Sequence, residues 1–260
     1  MTMEKCSGCS KEQQNKVPIL RVISKLDELF SRNDLSGAAR LLEYWSGEAD
    51  MLGDKRGKLE ILSEQIGLYR RTNERDKALK AVNDALLIIE QESLQNGMST
   101  GTIYVNIATT LKAFGKVEEG MPYYKKAEEI YNSNANVSFF KKAALNNNMA
   151  SAYAEMGEGE MAQKHYLKAI ELLSDDSQFY GEIAVSYVNL AHLYEDMKKS
   201  ETSILEAMDK AWDYLNKDGI KKDGNYAFIC SKCAPSFDYF GFDKRAAQLK
   251  SEANRIYEGT

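Results

Sequence analysis

"MASAYAEMGEGEMAQKHYLKAIELL", residues 149–173, can be laid over "IATTLKAFGKVEEGMPYYKKAEEIY", residues 107–131, at an offset of 42. Ala150, Gly157, Tyr166 and Ala169 then fall on Ala108, Gly115, Tyr124 and Ala127. A fixed stride of this length marks a repeated supersecondary unit that buries its apolar face against the next copy of itself. Carried along the chain, the stride gives a small-residue column at Ala38, Ala78, Gly120, Ala162, Ile204 and Ala246, and so six units. Seven residues later a second column reads Trp45, Ala85, Ala127, Ala169, Ala211 and Ala253. Two helical turns separate the columns, so they share one helix face, where small side chains let two helices approach closely.

Large groups precede the first column by nine residues: Leu29, Tyr69, Leu111, Tyr153 and Phe237, with Tyr194 one place early in the fifth unit. Asn33, Asn73, Gly115, Gly157, Lys199 and Gly241 precede it by five. Gly and Asn tolerate the left-handed backbone that closes a helix, so this column is expected to end each first helix. Between columns the apolar residues keep helical spacing, as in Ile103, Ile107, Leu111 and Phe114, and no useful length alternates with period two. The pattern predicts helix pairs at 18–32 and 35–51, 55–72 and 75–93, 99–114 and 117–132, 138–156 and 159–173, 178–197 and 201–216, and 223–240 and 243–257, with no sheet.

The 260 residues contain 3 prolines and no low-complexity linker, so one unit over 18–258 is expected behind a polar tail, 1–17. That opening stretch has no apolar run of signal-peptide length, and no later segment is apolar for long enough to cross a bilayer, which points to a cytoplasmic protein. A net charge of −5 opposes nucleic-acid binding, which rests on clustered Lys and Arg, and no membrane partner is indicated.

Two CxxC pairs, Cys6 with Cys9 and Cys230 with Cys233, raise the question of metal or redox chemistry. On the stride, Cys230 joins Val22, Leu62, Tyr104 and Tyr187, and Cys233 joins Ile107 and Met149, so both read as buried apolar filler. Cys230 lies about two turns inside its helix, away from the N-terminus that would activate a thiolate. Cys6 and Cys9 read as inert, with metal capture or an intermolecular bond as the alternative. His165 and His192 sit in different repeats without a ligand-spaced companion, and Asp175 with Asp176 reads as a solvated turn. No nucleophile, phosphate-loop or metalloprotease motif occurs. The expectation is a chain without cofactor, metal or enzymatic activity.

These columns resemble the tetratricopeptide repeat, and the 42-residue period together with "NNMASAYAEMGEGEMAQKHYLKAIELL" resembles the longer repeats of kinesin light chains and of bacterial peptide-sensing regulators. The resemblance covers roughly 18–258 and is strongest in units three and four. It drifts at the ends, where Trp45 replaces a small residue, Lys250 stands in the Tyr124/Tyr166 column and Pro235 falls inside a first helix. It implies an all-α, right-handed superhelix of about six helix pairs whose first helices line a concave groove.

Two residues before Ala108, Ala150 and Ala191 stand Asn106, Asn148 and Asn189. In the family this column points into the groove and its amide bonds the backbone of an extended peptide. A carboxamide offers a donor and an acceptor without charge, which suits sequence-tolerant grip. Asn147, Lys112, Glu155, His192, Glu64 and Arg71 complete the expected site, with Thr109 and Ser151 on the same wall. The resemblance argues against capture of a chaperone's C-terminal carboxylate, because Asn106 is followed by Ala144 and Asn148 without the basic pair that this requires. The partner expected is a protein or peptide, and a homodimer stays open. Two functions fit: a scaffold holding an extended peptide or helix, or a sensor of a signal peptide or small ligand that changes superhelix shape.

Overall fold

The structure, a computed structural model, describes residues 16–174 and 176–259. Cys6, Cys9 and Asp175 lie outside the described residues. Among the described residues twelve α-helices follow one another: α1 (Ile19–Ser31), α2 (Leu35–Leu52), α3 (Lys55–Arg71), α4 (Arg75–Gln91), α5 (Met98–Ala113), α6 (Val117–Ser133), α7 (Phe139–Glu155), α8 (Gly159–Leu173), α9 (Tyr180–Asp196), α10 (Glu201–Leu215), α11 (Gly224–Tyr239) and α12 (Asp243–Glu258). A single 3₁₀ turn, Ser177–Phe179, enters α9. No strand occurs among the described residues. The six expected helix pairs are all present, and their boundaries differ from expectation by no more than about two residues at either end.

The large-residue column and the turn column prove to be one device. The carbonyls of Leu29, Tyr69, Leu111, Tyr153, Tyr194 and Phe237 each accept the N–H of the residue five places on, at 2.8–2.9 Å. The residue four places on takes the left-handed backbone: Asn33, Asn73, Gly115, Gly157, Lys198 and Gly241. This bond closes the first helix and turns the chain back along it. In the fifth repeat the strained residue is Lys198, not Lys199 as the column suggested. Its position is set by Tyr194, and the extra residue of that turn follows it.

Second-helix starts are fixed by caps where the sequence supplies them. Asp34 accepts from Gly37 N–H at 2.7 Å, and Ser200 from Ser203 N–H at 3.2 Å. Asp54 caps α3 through Gly57 N–H, and its second oxygen accepts Val17 N–H at 2.9 Å, tying the start of the described chain to the third helix.

The chain divides into two compact units, Met1–Ile130 and Tyr131–Thr260. In the first, Val22, Leu26, Ala38, Leu42, Ala49, Ile61 and Leu68 form a buried cluster. α5 and α6 pack closely at Gly120: a Cβ on it would meet the Ala108 carbonyl oxygen at 3.0 Å, so a larger residue would ask that backbone to give by a few tenths of an ångström. In the second unit Ala184, Ala191, Ala207, Met208, Ala211, Phe237, Ala246 and Ala253 build the core with both described cysteines. Cys230 and Cys233 are 0% and 1% exposed. Burial pushes both thiols up, Cys233 to about 12 with a further push from Cys230. They are filler, as their columns implied.

Candidate binding faces of the two units

Two first helices of the first unit, α3 and α5, are joined by a polar bond. Asn106 on α5 donates from Nδ2 to Ser63 Oγ on α3 at 3.0 Å. One turn later Thr109 Oγ1 shares a hydrogen bond with the Tyr124 hydroxyl of α6 at 3.0 Å and donates back to the Val105 carbonyl. Thr109 was expected on the groove wall; it belongs to the seam between a first helix and its companion. Glu64 is half-buried, and that burial, reinforced by Asp27 and Glu60, holds its carboxyl above the usual range. Arg71 is exposed with its guanidinium 5.7 Å from the Phe30 ring centre. Lys112 is half-exposed. Arg70, not selected from the sequence, stands one stride before Lys112; burial lowers its pKa, and the nearby Tyr124 opposes that shift.

In the second unit the amides are employed differently. Asn147 accepts from the Ser186 hydroxyl of α9 at 3.0 Å, linking α7 to α9. Asn148 and Asn189, half-exposed, make no side-chain hydrogen bond among the described residues. Ser151 bonds the hydroxyl of Tyr166 on α8, repeating the Thr109–Tyr124 seam, so it too faces the companion helix. Glu155 is exposed at the end of α7. His192 is held by Ser236 of α11, Nε2 to Oγ 2.9 Å, and its ring lies 4.8 Å from that of Phe240. His165 is buried and bonds Asn146 Oδ1 through Nδ1 at 2.8 Å, a satisfied polar pair inside the helix hairpin.

Three bonds fix the register of α9 against α11. Asn225 Nδ2 donates to Glu182 at 3.3 Å, His192 meets Ser236, and the Tyr239 hydroxyl donates to Glu195 at 3.0 Å, which raises the phenol's pKa. Asn189 and Lys232 lie between these bonds on their respective helices, so the amide column continues as Asn148, Asn189, Lys232. The sequence held the signal, since Lys232 is two strides of 42 beyond Asn148. Lys232 is exposed, with its ammonium 5.8 Å from the ring centre of Phe228, itself 55% exposed.

On the other side of α9, a cleft of about 280 Å³ between α8 and α10 is lined by Gln163, Tyr187, Tyr194 and Lys210. Among the described residues no three His, Cys, Asp or Glu side chains gather as a metal would need. No helix of the described residues is long and apolar enough to cross a membrane.

The sequence profile of the tetratricopeptide repeat matches residues 101–134 and 143–175, the third and fourth helix pairs. The chain carries tetratricopeptide repeats. No curated protein sequence matches it. Among solved structures it is similar to a candidate kinesin light chain of Podosopora anserina built of nearly identical TPR-like repeats, at 15% identity and TM-score 0.56, covering 77% of this chain and 95% of that one. It is also similar to BtubC (BKLC) from P. vanneervenii, at 18% identity and TM-score 0.51 over 94% of this chain and 92% of that one. A third likeness is to YrrB, a TPR protein with an unusual peptide-binding site, at 18% identity and TM-score 0.51 over 80% and 91%. At these identities the shared property is the fold.

Proposed function

We propose that this tetratricopeptide chain is a non-catalytic interaction scaffold that holds an extended segment of a partner protein or peptide against its first helices. The observation that carries the reading is the pair Asn148 and Asn189. They are equivalent residues of consecutive repeats, half-exposed, each with an amide donor and acceptor unclaimed by neighbours. Two such amides spaced by one repeat can each bond a peptide group of an extended chain without demanding a particular side chain. Glu155, His192 and Lys232 flank them and supply charge and shape selection; in the first unit Asn106, Lys112, Glu64 and Arg71 are the corresponding candidates. The likeness to YrrB supports peptide binding as a use of this fold.

Selection of ligands from a displayed library of unstructured peptides, followed by titration of a recovered peptide, tests the assignment. Asn148→Ala/Asn189→Ala should weaken binding by roughly ten-fold or more, the effect of losing one to two net hydrogen bonds, while the circular dichroism spectrum stays unchanged. Equal affinity for wild type and double variant would remove the amides from the site.

A further inference from the structure

An equivalent cleft lies over a first helix in each unit, between the two second helices that flank it: about 290 Å³ over α3 and about 280 Å³ over α9. The linings correspond by position. Tyr69 matches Tyr194, Leu62 matches Tyr187 and Ala81 matches Ala207. Over α3 the chain fills its own cleft. Glu43 of α2 accepts the Tyr69 hydroxyl at 3.3 Å, and Lys77 of α4 is shared between Glu43 at 3.5 Å and Glu74 at 2.8 Å. Tyr69 is left 5% exposed.

Over α9 the chain supplies no such carboxylate. Leu167 stands where Glu43 does, five residues past the small-residue column, and Ser203 replaces Lys77. The Tyr194 hydroxyl and the Gln163 amide make no hydrogen bond among the described residues, although Gln163 Oε1 is buried. Tyr194 is half-exposed. Both residues line the cleft, with Leu190 and Ala207 as an apolar floor. Lys199 lines it too, held by Glu160 at 3.3 Å, and both charges act on the Tyr194 phenol as those of Lys77 and Glu43 act on Tyr69. A few unclaimed polar groups converging over apolar surface are the makings of a small-ligand site.

We propose that this cleft binds a carboxylate carried on a short apolar stem, seated where the Glu43 side chain sits over α3. Tyr194 and the Gln163 amide donate to it, and Lys199 is shared between it and Glu160 as Lys77 is shared over α3. The stem lies along Leu167, Leu190 and Ala207. A free organic acid and a glutamate of a partner protein both carry this chemistry. The inference is independent of the amide face.

Hexanoate, its neutral analogue hexanamide and a glutamate blocked at both ends are titrated into the isotope-labelled full chain and followed by NMR. Hexanoate is expected to shift the amide signals around Leu190 and Tyr194 saturably, and hexanamide to bind roughly ten-fold or more weakly, since it lacks the charge. Tighter binding of hexanoate than of the blocked glutamate assigns the site to free acids, and the reverse order assigns it to a partner's side chain. Tyr194→Phe should weaken hexanoate roughly ten-fold. Leu167→Glu, at a position already 43% exposed, should close the site by supplying the carboxylate internally, with an unchanged circular dichroism spectrum. No saturable shift with either acid, hexanamide as good as hexanoate, or undiminished binding in either variant would each overturn the proposal.

Discussion

Asn106 and Asn148 occupy the same column in neighbouring repeats, yet only one has its amide free. Asn106 in the first unit gives its N–H to Ser63, whereas in the second unit the linking bond is made by Asn147 with Ser186, leaving Asn148 and Asn189 open. The same kind of side chain thus staples first helices through Asn106 and Asn147 and is left open at Asn148 and Asn189. The faces differ in character as well. The first carries Arg70, Arg71, Lys112 and a half-buried Glu64; the second carries free amides with Phe228, Lys232 and Tyr239 alongside acidic helix ends.

The seam common to both units should yield the largest effect. Burial raises the Tyr166 phenol from 10 to about 12, slightly offset by its bond to Ser151. The folded state then keeps a proton that the unfolded chain releases. The stabilisation is complete below pH 10 and is lost as pH rises from 10 to 12. From Tyr166 alone it amounts to about 2–3 kcal/mol. Thermal midpoints measured between pH 9 and 12 should fall steeply, and Tyr166→Phe should flatten that fall. An unchanged slope in the variant would show that the second unit's seam is wet.

Next in size is the contrast between the amides themselves. Asn106→Ala should cost about 1 kcal/mol of stability by leaving Ser63 without its donor, whereas Asn148→Ala should stay within about 0.5 kcal/mol. Denaturant midpoints of the two single variants decide this. Matching losses would erase the distinction between structural and available amides.

Smaller again is the turn difference. Lys198 holds a left-handed backbone at φ 54°, where the other five repeat turns use glycine or asparagine, such as Gly157 at φ 77°. Lys198→Gly should stabilise by about 0.5–1 kcal/mol, and Gly157→Ala should destabilise by about 1 kcal/mol through backbone strain alone, since a Cβ there would meet nothing within 4 Å. Chemical denaturation of both variants measures the pair. The smallest signal is expected from the thiols: in a Cys6→Ser/Cys9→Ser background, native protein at pH 8 should leave a thiol reagent unreacted until denaturant exposes Cys230 and Cys233.

The helix pairs, their turns and the burial of both described cysteines were legible because each repeat states the same local rule again. Leu29, Tyr69, Leu111, Tyr153, Tyr194 and Phe237 recur with the turn residue four places later, and agreement among six copies filters out accidents of any one segment. Candidate site residues were legible only as positions. Asn148 and Asn189 could be placed on a helix face, but nothing in the spacing told Asn106 apart from them. Thr109 and Ser151 bond the companion helix, because one helical turn separates a groove wall from a helix-pair seam and spacing alone does not tell the two apart. Lys232 continues the column, but its change of residue type hides the repeat.

Periodicity by itself determined an all-helical chain of six hairpins and which side chains fill its core, because burial follows from a stride that short-range sterics and apolar spacing enforce. Tertiary structure alone decided which polar groups remain available. Whether an amide, hydroxyl or guanidinium is free depends on atoms within about 3 Å contributed by residues some 40 positions away, and on neighbours such as Leu167 that leave a cleft open. Those distances are set by how one hairpin seats on the next.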